Sequence, residues 1–86
     1  MRFDTHKQYD KAWVKLSDRQ KLCAKATLQA FLENPTDPNL RVHQLKGEYY
    51  PQFSISAGGD LRIHFLRASP DIVVLMLIGT HAQLYG

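Results

Sequence analysis

One cysteine, Cys23, is all the sequence holds, so no disulfide can close within the chain and no thiolate cluster can gather a metal. Reducing conditions suit it. No apolar run is long enough to cross a bilayer: "DIVVLMLIG" falls well short, and the opening "MRFDTHKQYD" lacks the apolar centre of a signal peptide. A cytoplasmic protein without membrane attachment is the expectation. Histidine is scattered. His6, His43, His64 and His81 have no HxxxH-type spacing and no carboxylate cluster beside them, which argues against a metal centre. No Gly-rich loop leads into a helix, so a nucleotide-phosphate cradle is absent too, and no cofactor is expected. Acidic residues are in the minority, 8 against 11 Lys and Arg, and the net charge of +3 favours a polyanionic or acidic partner.

What is present reads as one α+β domain over residues 1–86. Hydrophobic residues are 44% of the chain and charged ones 22%, enough for one modest core. Arg2 and Phe3 fit a short edge strand. From Thr5 the period is helical: Tyr9, Ala12, Trp13 and Leu16 recur on one side, with Lys7, Lys11 and Lys15 on an adjoining stripe. Ser17, followed three residues on by Gln20, is a capping-box pattern that starts a second helix, with Leu22, Cys23, Ala26, Ala30 and Phe31 as its apolar face. Pro35 and Pro38 end it. Beyond them the period is two, and "QFSIS", "LRIHFLR" and "IVVLMLI" read as strands joined by turns at "AGGD" and "ASPD". The last strand is apolar on both faces and takes a central place. The expected architecture is an N-terminal helical hairpin packed on a three- to four-stranded antiparallel sheet, with Trp13, Leu22, Phe53, Ile63 and Leu75 in the core.

One sheet face, Phe53, Ile55, Leu61, Ile63 and Phe65, is committed to the helices. The other carries Ser54, Ser56, Arg62 and His64, and no segment reads as a cover for it, so it is expected to be open to solvent. That face is either a surface that polar residues merely solvate or a site. Arg62 and His64 stand side by side, one suited to phosphate and the other to proton exchange near neutral pH. His43, in "RVHQLKG", lies between Arg41 and Lys46. This segment is either a basic loop that embraces a phosphodiester backbone or a loop packed down by Val42 and Leu45 with its polar residues outside. His81 follows Gly79 and Thr80 directly after the last strand.

Two helices, then "HQLKG", then "GDLRIHF" within the meander and "GTHAQLYG" at the close resemble, in this order, the RelE/ParE superfamily of toxins from bacterial type II toxin–antitoxin systems. The YafQ-like branch is the nearest in pattern. It reads H-x-L-x-G before the sheet and T-G-T-H-x-x-L-F at the end, matched here by His43, Leu45 and Gly47, then Gly79, Thr80, His81, Leu84 and Tyr85. The resemblance implies a RelE-like fold, a ribosome-dependent endoribonuclease acting on messenger RNA, and a cognate antitoxin as partner. By position, His43 and His81 correspond to catalytic or RNA-contacting histidines and Tyr85 to the aromatic that closes the site. Arg62 is similar to the strand arginine of the RelE-like pattern, with His64 where that pattern has tyrosine. Three positions differ: Ile55 stands for a branch histidine, Gly59 and Asp60 for an Asp-Trp pair, and Leu77 for a basic residue.

The chemistry this resemblance implies is metal-free acid–base cleavage. His43 and His81 exchange protons, Arg62 clamps the phosphate with His64 as a substitute partner, and Tyr85 stacks on a base. Arg41, Lys46, Lys7 and Lys11 would meet RNA. The alternative is a non-enzymatic module of the same fold, for antitoxin docking or directed at DNA gyrase.

Overall fold

Each of the two long helical segments starts on a side-chain cap. In the computed structural model, which describes residues 1–85, His6 accepts the Gln8 N–H through Nδ1 at 3.1 Å and opens α1 (Lys7–Trp13). Ser17 and Gln20 exchange side-chain and backbone bonds at the head of α2 (Asp18–Glu33), the reciprocal box their spacing suggests. The strands are β1 (Arg2–Thr5), β2 (His43–Gln44), β3 (Phe53–Ser56), β4 (Leu61–Ser69) and β5 (Ile72–Thr80), and α3 (His81–Tyr85) follows the last. Short 3₁₀ turns occupy Pro38–Leu40 and Gly47–Tyr49.

The strands form one five-stranded sheet in the order β1-β5-β4-β3-β2. Pairing is antiparallel from β2 to β5, but β1 lies parallel to β5, with Phe3 opposite Val73. The sheet is therefore mixed and larger than the antiparallel meander expected. The N-terminal edge strand is present, and β2 adds the other edge in a run too short for any period to show.

Ile55, Leu61, Ile63 and Phe65 face the helices and are buried with Ala24 and Phe31 of α2. The Phe31 ring meets Phe65 edge-on at 5.3 Å. Leu75 and Ile78 also both lie in this core, although period two would put residues three apart on opposite faces. A bulge resolves the conflict: His64 pairs with Leu77 but Phe65 with Leu75, so Met76 is the extra residue. Trp13 and Phe53 pack against the same cluster, partly buried.

Leu22 departs from its expected place in the core and is 68% exposed. The helix turns Ala24, Leu28 and Phe31 inward, and at about 100° per residue Leu22 falls on the far side from Ala24. Ala26 is exposed with it.

The second sheet face is not open, which corrects the reading of Ser54 and His64 as solvent-facing. They are 1% and 0% exposed. Tyr49, in the turn after β2, and Tyr85, on α3, bring their rings to 4.8 Å and 5.5 Å from the His64 imidazole and roof that part of the sheet.

Candidate active site

The part of this face left uncovered is a cleft of about 440 Å³. Its floor is the β3–β4 ladder, where Ser56 stands opposite Arg62, and Ser54 stands between His43 and His64. Arg41, His43 and Leu45 line it from the β2 side, and His81 and Tyr85 from α3.

His43 owes its protonation pattern to Arg41. Arg41 closes the 3₁₀ turn in a left-handed conformation, φ 51, and its carbonyl oxygen lies 2.9 Å from His43 Nδ1. A carbonyl can only accept, so Nδ1 carries the proton and the lone pair of the neutral ring sits on Nε2. The side chain is exposed. It offers the cleft a base.

Arg62 is anchored through one nitrogen. Its Nη1 donates to the carbonyls of Gly59 at 2.9 Å and Leu61 at 3.0 Å, and more weakly to Ser56 Oγ at 3.4 Å. The turn that presents the Gly59 carbonyl runs through Gly58 at φ 98 and Gly59 at φ 54, positions that favour glycine. Because these bonds come from Nη1, the remaining N–H groups of the fork can meet an anion.

α3 folds back because Thr80 and Gln83 form a second reciprocal box: Gln83 Oε1 accepts the Thr80 N–H at 2.8 Å, and Thr80 Oγ1 accepts the Gln83 N–H at 3.2 Å. The His81 N–H donates to the Asp60 carbonyl at 2.8 Å, and its ring lies 4.7 Å from that of Tyr85 one turn later. Tyr49 fastens the helix from outside, its hydroxyl donating to the Leu84 carbonyl at 2.7 Å. Burial, then the Glu48 carboxylate and Tyr85, push the Tyr49 phenol up, which keeps it a donor.

His64 stands behind this wall and does not line the cleft. Its Nε2 shares a hydrogen bond of 2.7 Å with Tyr85 Oη. Burial first, and His43 second, push it down to about 4, so it is neutral at pH 7. The expected clamp of Arg62 and His64 side by side on an open face is thus corrected: Arg62 reaches the cleft, and His64 supports a residue that does.

The lysines lie elsewhere. Lys11 borders a separate groove of about 580 Å³ with Lys15, Leu77 and Leu84, while Lys7 and Lys46 are exposed and do not line the cleft. Leu77 is opposite His64 in register but belongs to that groove, so its position does not border the cleft. Tyr49 and the α3 box were missed at the level of sequence. The T-x-x-Q spacing of Thr80 and Gln83 was the available signal for α3, whereas nothing in "GEYYPQ" announces a lid.

No known family profile matches the chain, and no curated protein matches it in sequence. Solved structures match in shape. YafQ from Escherichia coli strain BL21(DE3) superposes at a TM-score of 0.78, with 18% identity over 99% of this chain and 98% of that one. The conserved hypothetical protein HP0894 from Helicobacter pylori gives 0.73, with 22% identity over 98% of both chains. A chain of the archaeal RelE–RelB complex from Pyrococcus horikoshii OT3 gives 0.71, with 16% identity over 95% of this chain and 96% of that one. The chain has the RelE-like fold.

Proposed function

We propose that the chain is the toxin of a type II toxin–antitoxin pair and that it cuts messenger RNA on the ribosome, in the cytoplasm. The observation that carries this reading is the meeting of His43 and His81, from opposite sides, on one cleft whose floor holds Arg62. YafQ has been solved in a toxin–antitoxin complex with DinJ, and the RelE-like fold shared with it supports a cognate antitoxin as partner.

The cleavage needs three services. His43 Nε2 takes the proton of a ribose 2′-hydroxyl, and the freed oxygen attacks the adjacent phosphorus. Arg62, with Arg41 at the rim, faces the charge that builds on the non-bridging oxygens. Protonated His81 passes its proton to the departing 5′-oxygen, which leaves a 2′,3′-cyclic phosphate on one fragment. Tyr85 supplies a face on which a base can stack.

A ribosome-programmed cleavage assay tests this. Wild-type protein should cut a defined message and fail on the same message carrying a 2′-deoxy nucleotide at the scissile position. Growth inhibition on induction, with every message intact, would refute the nuclease and leave a binding module for antitoxin or gyrase.

A further inference from the structure

His64 is fully buried, yet one of its ring nitrogens, Nδ1, has no hydrogen-bond partner among the described residues. The other, Nε2, lies 2.7 Å from Tyr85 Oη. The two neutral tautomers leave different defects. If Nε2 accepted the Tyr85 proton, Nδ1 would carry a buried N–H with no acceptor, a rare fault in folded proteins. If Nε2 carries the proton and donates it to Tyr85 Oη, only a lone pair at Nδ1 goes unmet, and that is tolerated more often. The second arrangement has a consequence on the other side of the bond. The Tyr85 hydroxyl already accepts from His64, so its own proton must be donated elsewhere. Tyr85 borders the cleft, and it is 41% exposed.

We propose that His64 is a positioning residue of the cleft: as the Nε2–H tautomer it donates to Tyr85 and thereby turns the Tyr85 hydroxyl proton toward an anionic oxygen of the bound substrate. The inference rests on the RNA-cleaving reading above and deepens it, giving Tyr85 a donor role in addition to a stacking face. The same bond fixes the ring beside His81, 4.7 Å away, so His64 also sets the place of the proposed acid without touching substrate. Three further contacts hold the arrangement still. Tyr49 packs edge-on against both His64 and Tyr85, at 4.8 Å and 5.8 Å, and donates to the Leu84 carbonyl.

The decisive measurement does not depend on activity. Long-range nitrogen–proton correlation spectra of the histidine-labelled full chain at pH 7 should show His64 protonated on Nε2, and its pattern should change in Tyr85→Phe. A proton on Nδ1 overturns the proposal. Cleavage kinetics then test the role. His64→Leu and Tyr85→Phe should each lower the single-turnover rate roughly tenfold, the worth of one hydrogen bond, with KM little changed. The double variant should be no slower than either. His64→Gln keeps a donor and should recover most of the rate, whereas a loss equal to that of His64→Leu at matching thermal stability overturns the proposal. Should the wild type cut no message, the nuclease reading fails by itself, and the tautomer still decides for or against the His64–Tyr85 assignment.

Discussion

His43 donates its Nδ1 proton to the carbonyl oxygen of Arg41 at 2.9 Å, two residues upstream, where the left-handed backbone of Arg41 brings that oxygen within reach. The base of the proposed reaction is therefore oriented by a backbone conformation and not by a carboxylate. Glycine accepts that conformation without strain and a β-branched residue resists it. Arg41→Gly should keep or slightly raise thermal stability, by up to about 1 kcal/mol, and should weaken RNA binding with a shallower salt dependence. Both variants should lose rate with the Arg41 charge, and Arg41→Val should cut more slowly than Arg41→Gly. Equal rates in the two variants would show that the carbonyl does not orient His43.

His43→Ala and His81→Ala should each reduce message cleavage by roughly 10²-fold or more. Both side chains are exposed, so melting temperatures should hardly move, surface changes being worth within about 0.5 kcal/mol. Leu77→Arg should bring no gain in rate, because that position opens on the groove with Lys11 and Lys15. A large gain would mean that the substrate extends across the tyrosine wall.

Acid should loosen the fold through His64. Its pKa drops from 6.5 to about 4 on folding, so as pH falls the unfolded chain takes up this proton before the folded one does. The stability it contributes is complete above the unfolded value and is lost progressively down to about 4. The slope within that window is at most about 1.4 kcal/mol per pH unit for one such group. Denaturant titrations at pH 4.5 and 7 should show a smaller difference in His64→Gln than in wild type. An identical difference would place the acid sensitivity in other groups.

Phe31→Ala should cost about 3–5 kcal/mol, since the ring is fully buried between Phe3 and Phe65. Leu22→Ser on the same helix should stay within about 0.5 kcal/mol. Chemical denaturation of the two variants checks which stripe of α2 faces the sheet.

The cap of α2, the strands β3 to β5 and their turns were legible because they rest on local rules: a box at Ser17 and Gln20, prolines after Glu33, alternation in "LRIHFLR". What escaped depended on contacts between distant segments. Leu22 looks like core until the whole helix is phased on Ala24, Leu28 and Phe31. β2 is two residues long and exists as a strand only through its pairing with β3. His64 alternates onto the same face as Arg62, as the pattern says, but its burial comes from Tyr49 and Tyr85, distant in sequence and joined to it only in the folded chain. The motif residues His43, Arg62, His81 and Tyr85 were visible as residues. Their division into groups that border the cleft and groups that support it was not.

The parallel pairing of β1 with β5 orders events during synthesis. The first strand made waits, with its inner edge unpaired, until the last strand emerges, and such distant closures are slow. Arg41, His43 and Arg62 are translated well before β5, but His81 and Tyr85 follow it. A chain stalled within β5 thus carries one wall of the cleft and lacks the other. On the proposed reading it would hold a base and a phosphate clamp without the acid.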